Sequence, residues 1–398
     1  MKRLWLTIML QCLFVPVLLA GDSIYSLRGI GIRYDYGGGR SAAMGGAGVA
    51  IADSVQLNWL NPASLSELRR VTVSAQFFLQ NLRTGNGKTG YWTGYANFFG
   101  FYGAFSVGYH IGFGFGLKPV SKVAYRFEDQ GEIGRYTFTR LIDGNGGLNR
   151  FYFEGGFRPL RFLRVGAGVG YIFGKTDENL RINFLPADMV PTFDQYRSKY
   201  SGSNAHVGVH LSALRFLQIG AYYETGYNLA KTGEIRKVNP SNGRVRIMTS
   251  VDTTLRVPPK MRFGAAANIG SHLLVAADYA VQDWTGYGSV SDSFRRAEKM
   301  AVGLEYRPMG RYDAPFLTHL AYRLGFSWER PYLTDFENRP LHAFRVTAGI
   351  GIPYARHMGF IDLVLEYGKR GSLNKNTFEE NLFRFSVVVT GSEWWFVR

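Results

Sequence analysis

One cysteine, Cys12, stands in a chain of 398 residues. It falls within the first twenty residues, so the rest of the chain carries no disulfide, no thiol chemistry and no cysteine metal site. Charged residues are scarce at 19%, and with 15% aromatics this composition argues against a disordered chain. Acids are fewer than bases, 30 against 46. Beyond the N terminus there is no run of about 18 apolar residues, which argues against a bundle of membrane-spanning helices. Glycine is abundant, with 49 residues, and so are ring side chains, with 24 Tyr, 30 Phe and 7 Trp. That combination points to a large β-rich protein.

Lys2 and Arg3 precede an apolar stretch from Leu4 to Ala20, broken by Thr7, Gln11 and Pro16, and Ala20-Gly21 offers a small-residue cleavage point. The pattern predicts a secretory signal peptide over residues 1–20, with a single anchoring helix as the alternative. Leu18, bulkier than alanine three positions before the cut, allows the site to sit a residue away. The mature chain then starts near Gly21, and loss of Lys2 and Arg3 lowers the formal charge from +16 to +14. A basic exported protein suits acidic polysaccharide or lipid phosphate, and export argues against nucleic acid.

From residue 70 onward, apolar residues alternate with polar or small ones in segments of about ten, the period of a strand. Leu163, Val165, Ala167, Val169, Tyr171 and Phe173 share one face, with Arg164, Gly166, Gly168 and Gly170 on the other. Met261 to Ile269, Leu320 to Trp328, Phe344 to Ile352, Ile361 to Tyr367 and Phe383 to Val389 repeat the pattern. A soluble β-sandwich also alternates, but such a domain runs near 100 residues. Here no linker or composition break divides the strands. In a membrane barrel the apolar face meets lipid, the other lines a polar lumen, and aromatics sit at strand ends, as Tyr171, Phe173, Tyr306, Trp328 and Tyr367 do. Closure also satisfies every backbone group, as hydrocarbon requires. The expected fold is all-β, a closed antiparallel transmembrane β-barrel over 67–398 in a bacterial outer membrane.

Short breaks near 101, 160, 213, 270, 311 and 355 alternate with longer connections at 83–89, 119–149, 175–200, 226–258, 284–297, 330–342 and 369–380. They give about 14 strands, with both termini on the short-turn, periplasmic side. The connection 119–149 contains strand-like residues, Val123 to Phe127 and Tyr136 to Thr139, and leaves room for one more hairpin.

Residues 21–66 do not read as barrel wall. They contain Gly37 to Asp53, a run of glycine and alanine with Arg40, Ser41, Met44, Gly45 and Gly46, followed by Asn61-Pro62-Ala63. Glycines permit tight backbone turns, and a compact small-residue segment before a barrel suggests a plug. The run Gly39 to Asp53, then Asn61-Pro62-Ala63 just before the first strand, resembles the hatch of the FadL/TodX (OMPP1) family of outer-membrane transport proteins. The resemblance covers residues 40–65 specifically, with the hatch motif at Gly45, Gly46, Asn61, Pro62 and Ala63. Two features depart from the family pattern: Gly21 to Gly39 make a long lead before the motif, and the chain ends on Arg398 rather than an aromatic.

The resemblance implies a 14-stranded barrel with a hatch, and passive uptake of a hydrophobic small molecule such as a long-chain fatty acid, with sideways release through a gap at the third strand. Gly112, Gly114 and Gly116, leading to Pro119, are the lateral-gap candidates, since glycine and proline weaken ladder pairing; the alternative is that they relieve crowding in the lumen. Phe184, Leu185, Met189 and Phe193, apolar in an otherwise polar connection, are the capture-loop candidates, or a self-packed cap. Arg164, Arg262, Arg323 and Arg345 share the lumen face with acids; most should form ion pairs, leaving one or two for a ligand carboxylate. No cofactor and no metal is expected, and the expected partners are the hydrophobic ligand, outer-membrane lipid and lipopolysaccharide, with the barrel a monomer.

Enzyme motifs fare poorly. Gly85 to Gly90 satisfies GxGxxG, but no helix follows and the phosphate-loop spacing fails. His206 and His210 share a strand face roughly 13 Å apart, too far for one metal, and His272, Asp278 and Asp283 have no nucleophile tied to them. Two non-enzymatic alternatives remain: a docking or shuttle barrel of an envelope secretion system, and a nonspecific pore. Transport and docking differ in whether the lumen above the hatch is apolar and open or filled by charge pairs.

Overall fold

The computed structural model describes residues 23–394 apart from 36, 109, 186–189, 239–244, 288–293, 309–313 and 355–357. The signal peptide expected over 1–20 and the capture candidate Met189 lie outside the described residues. Each alternating segment is a strand. In chain order they are β1 (Val71–Gly85), β2 (Gly90–Val107), β3 (Ile111–Ile133), β4 (Tyr136–Leu160), β5 (Leu163–Leu185) and β6 (Thr192–Ser212). Next come β7 (Leu217–Glu224, continued by Tyr227–Val238) and β8 (Val245–Val257, continued by Lys260–Ile269). The series ends with β9 (Leu273–Asp283), β10 (Arg296–Tyr306), β11 (Ala321–Arg330), β12 (Ala343–Tyr354), β13 (Gly359–Arg370) and β14 (Glu379–Glu393). Each pairs antiparallel with the next, and β14 returns to β1 from Glu379↔Gly85 to Glu393↔Val71, closing a 14-stranded barrel as the alternation predicts. The break in β8 falls at Pro258-Pro259, where two consecutive residues lack an N–H for the ladder.

Apolar side chains of the alternating pattern face outward, with Val169 61% exposed and Leu365 63%. The opposite face looks into the lumen. On β5 the outward series runs Val169, Tyr171, Phe173 and then turns polar at Lys175, Asp177 and Asn179. Strand pairing continues beyond that point, so β3 to β8 rise above the apolar band by about 40 Å along the strand, from Phe173 to Leu185. This corrects the connections read at 119–149, 175–200 and 226–258, which are mostly strand. The first of them is the body of β3 and β4, which turn at Gly134 and Arg135, and no further hairpin is present there. Above hydrocarbon both faces of a strand meet water, so apolar alternation fades while the backbone ladder persists. The turn expected near 101 sits at 108–110; Phe101 is mid-strand, paired with Ala75 and Leu117.

Residues 23–70 do not join the wall and run through the barrel interior. A short α-helix, Gly39–Ala43, packs on β11 to β14, and a 3-10 helix, Pro62–Glu67, packs on β2 to β6, both in the half of the lumen nearer the short turns. Residues 23–35 climb toward the hairpin tips, where Ser23 N donates to Ala124 O at 2.9 Å and Ser23 Oγ to Glu380 at 2.7 Å. Ser23 therefore lies at the tip end while Trp394 follows β14 at the turn end. The expectation that the two ends share the turn side is corrected at Ser23, because the lead segment is long enough to span the lumen.

Candidate functional site

The glycine-rich run is where the inner segment touches the wall most closely. A Cβ on Gly45 (φ +69°) would stand 2.7 Å from Phe326 O, and wall glycines answer in kind: a Cβ on Gly208 would stand 2.1 Å from Asn61 Oδ1. Gly46, also at positive φ, passes the Lys299 ammonium in the same way. Gly45 N donates to Thr347 Oγ1 at 2.9 Å, and Thr347 Oγ1 donates to Ala43 O at 2.9 Å. The amides of Gly48 and Val49 both donate to Asp278 Oδ2 at 3.0 Å. Asn61 caps the 3-10 helix, its Oδ1 accepting from Ala63 N at 3.1 Å while its Nδ2 donates to Val49 O at 2.9 Å and to Val209 O at 3.1 Å. Pro62 takes the first helical position, where a missing N–H costs nothing. Asn61-Pro62-Ala63 is thus a clasp joining the two halves of the inner segment to β6.

All four lumen arginines named as ligand candidates are held by carboxylates. Arg164 pairs with Glu67 of the inner segment and lies 2.9 Å from His210 Nδ1. Arg262 pairs with Asp35 and stands 3.7 Å from Asp278. Arg323, fully buried, pairs with Asp362 and with Glu305 at 2.6 Å, and Arg345 pairs with Glu329 at 2.9 Å and Glu366 at 3.5 Å. The expectation that one or two would be left for a ligand carboxylate is corrected, because a buried cation in a low-dielectric lumen is stable only with its partners in place. Arg40 extends the network, joining Asp53 at 2.9 Å to Glu305 at 2.5 Å. The two histidines are separately engaged, His206 with Glu154 at 2.8 Å and His210 with Ala50 O at 2.7 Å.

The wall has a seam between β2 and β3. β2 and β3 pair from Val107↔Ile111 only as far as Phe101↔Leu117. Both strands bulge at this level: β2 carries the extra residue Phe99 beside Gly100 (φ +153°), and β3 carries Val120 after Pro119. Above the bulges β2 keeps β1 and β3 keeps β4, and among the described residues no pairing joins β2 to β3. The free edge of β3 is taken by the inner segment. Ile32 and Arg33 pair with Lys122 and Ser121, Tyr34 N donates to Val120 O at 3.0 Å, and Ala124 N donates to Ser26 Oγ at 3.0 Å. Tyr34 then reaches the β2 side of the seam, with its hydroxyl 2.7 Å from that of Tyr95.

Gly112, Gly114 and Gly116 lie below the seam and are paired on both sides. A Cβ at Gly112 would stand 2.1 Å from Leu65 O, at Gly114 2.7 Å from the Tyr102 hydroxyl, and at Gly116 2.5 Å from that of Tyr152. Their placement as lateral-gap residues is corrected: they make room for the inner segment and two tyrosines, and the break comes after them, at Leu117 and Pro119. The capture candidates are also relocated. Phe184 and Leu185 end β5, and Phe193 is the second residue of β6, so they belong to the tall sheet rather than to a loop. Phe184 faces Phe138 with ring centroids 6.4 Å apart, Arg181 lies 4.8 Å over the Phe193 ring, and Leu185 is 63% exposed.

Above these ion pairs lies an apolar cluster, with the Arg370–Glu380 pair nearby. Leu148, Ile172, Leu229, Trp284, Tyr332 and Leu341 line a chamber whose contents are Ile24, Tyr25 and Ile30 of the inner segment. Trp284 stacks on Tyr332 at 4.4 Å, and the Tyr332 hydroxyl donates to Gly31 O at 2.8 Å. Around Arg33 and Tyr34 the remaining cavities are about 30, 50 and 60 Å³, room for a few waters each. Residues 23–35 were not singled out in the sequence as functional. The signal that marks them is the alternation of Ile30, Ile32 and Tyr34 with Gly31, Arg33 and Asp35.

Comparison with solved structures finds the same barrel in several proteins. The CymD monoaromatic hydrocarbon channel is 14% identical, with 90% of this chain and 98% of that chain covered at a TM-score of 0.60. The Ralstonia pickettii toluene transporter TbuX is 16% identical, with coverage of 90% and 98% and a TM-score of 0.59. A Pseudomonas aeruginosa FadL homologue is 11% identical, with coverage of 90% and 99% and a TM-score of 0.65. At these identities the likeness establishes the fold, and the FadL-type resemblance read in the hatch motif is borne out at that level. Comparison with curated protein sequences gives no match. Over residues 1–398 the sequence matches the model of the BamG family, and the chain belongs to that family.

Proposed function

We propose that the protein is an outer-membrane conduit for hydrophobic small molecules, with the hairpin tips outside and residues 23–66 as its plug. One observation carries this reading: an apolar chamber and a wall seam lie side by side, and the same stretch, residues 23–35, stoppers both. A hydrophobic molecule that displaced Ile24, Tyr25 and Ile30 would find aromatic and aliphatic lining on one side. On the other it would find an edge whose release opens a path into the surrounding lipid. The FadL-type fold supports the reading, since several barrels of that shape are hydrocarbon channels or toluene transporters by name. Fatty acids and monoaromatic hydrocarbons both suit the chamber's chemistry.

A second reading, a barrel that docks an envelope partner and transports nothing, draws on a different observation. The turn-side half of the lumen is filled by ion pairs that bind the inner segment to the wall, among them Arg164 with Glu67 and Arg262 with Asp35.

Native mass spectrometry of the detergent-purified mature protein separates the two. A co-purifying hydrophobic ligand displaced by oleate or toluene supports the conduit. A protein that carries no such ligand, ignores both probes and retains another envelope protein supports docking.

A further inference from the structure

On the inner face of the tall sheet, register sets Tyr125, Gly144, Glu178, Tyr196 and Ile235 side by side across β3 to β7. Register partners share a face, so these form one row. The next row down includes Thr176, Ser198 and Gly233. Between these rows and Ser26, Leu27 and Gly29 of the inner segment lies a cleft of about 320 Å³, the size of a small-molecule site. Gly144 shapes its floor. A Cβ there would stand 2.4 Å from the Tyr125 ring, so the ring lies across the glycine and donates its hydroxyl to Glu178.

The lining selects a ligand class. By the same register Asp177, Arg197 and Glu234 fall in a row on the outward face, which leaves one carboxylate, Glu178, and one cation, Lys231, on the rows that face the cleft. A phosphate or nucleotide would find no surplus of positive charge to hold it. An alkyl chain would cover the hydroxyls of Thr176, Ser198, Tyr196 and Tyr200 without pairing them. A sugar ring answers both needs, because its hydroxyls donate to a carboxylate and exchange with hydroxyls, while its C–H face lies on a phenol ring. We propose that this cleft binds the sugar rings of a saccharide. It opens about ten ångströms along the strand above Phe173, where the continuous outward apolar run of β5 ends. A lipid-borne glycan and a free oligosaccharide present the same chemistry to it. The cleft shares Ser26, Leu27 and Gly29 with the segment that stoppers the seam, and it is complete while that segment is in place, whether or not the barrel conducts.

The test uses the full mature protein in nanodiscs, titrated calorimetrically with maltotriose and with lipid-free core oligosaccharide released from lipopolysaccharide. Binding of either is expected. Binding of the core alone assigns the site to a lipid-borne glycan, and binding of maltotriose assigns it to free saccharide. Glu178→Gln and Tyr196→Ala should each weaken binding by about tenfold or more. Thr176→Val, which keeps the side-chain shape and leaves the barrel fold intact, should weaken it by about threefold. No binding of either probe by the unaltered protein, or unaltered affinity in all three variants, would overturn the proposal.

Discussion

The hydroxyls of Tyr34 and Tyr95 stand 2.7 Å apart across a stretch of wall where neighbouring strands are unpaired. Tyr34 comes from the inner segment and packs edge-on against Phe99 at 5.4 Å, the residue whose bulge starts the seam. The defect in the wall and the group that closes it are therefore a few ångströms apart.

Removing that group should loosen the seam. Tyr34→Ala deletes the hydroxyl pair and the ring contacts, a loss of about 2 kcal/mol. Cells carrying the variant should take up a hydrophobic fluorescent probe such as N-phenylnaphthylamine faster than cells with the unaltered barrel. Uptake at the unaltered rate would mean that the seam stays shut without Tyr34.

The upper anchor of the segment is Glu380, which is 1% exposed and accepts from Ser23 Oγ at 2.7 Å, from Ile24 N at 3.1 Å and from Arg370 at 2.8 Å. Glu380→Gln keeps the shape and loses the charge, which should weaken the anchor by about 2 kcal/mol. Trypsin cleavage after Arg28 and Arg33 reads the result. It should quicken by roughly 30-fold if local release limits cleavage.

The glycines below the seam predict a different outcome from a gate. A valine at Gly112 would collide with Leu65 O, which a Cβ there would approach to 2.1 Å. The barrel should still form, shown by heat-modifiable gel mobility. The 3-10 helix should be displaced and conductance to small polar solutes should rise. A gating role would instead lower hydrophobic uptake and leave conductance unchanged.

Acid should loosen the rim between β11 and β12. Burial alone would raise the Asp335 carboxyl, but it accepts from the Arg339 amide at 2.7 Å, Arg339 Nε at 2.7 Å and Asn376 Nδ2 at 3.2 Å, and the net effect lowers it. A group lowered on folding stabilises above its unfolded pKa, about 3.9. That stability is lost as pH falls below this value through the folded one. Hydrogen exchange at residues 333–340 should be flat from pH 7 to 5, after correction for the intrinsic rate, and rise below about pH 4. An Asp335→Asn variant should lose the acid dependence.

The wall was legible because hydrocarbon imposes a two-residue period on every strand that crosses it, as Val165 to Phe173 show. The upper half of β5 was not, because Thr176 to Asn179 meet water on both faces and carry no apolar contrast. Alternation placed Arg262 and Arg323 in the lumen without naming their partners, since Asp35 and Asp362 are joined to them only by the folded chain. The seam was hidden for the same reason. A bulge at Phe99 and another at Val120 are local events, but the parting of two strands depends on both.

The contact between Ser23 and Glu380 spans 357 residues of chain. The Ser23 hydroxyl thus finds its acceptor on β14, the strand that closes the barrel. Loop closure over such a separation is slow, and topologies dominated by distant pairings fold late and through exposed edges. Until β14 arrives, the hydroxyl of Ser23 and the amide of Ile24 lack the Glu380 carboxylate, and the sheet remains open between its first and last members. Completion of the cylinder and capture of the N-terminal end are then a single terminal event in assembly, so a chain truncated before residue 379 should expose both the β1 edge and the leading segment at once.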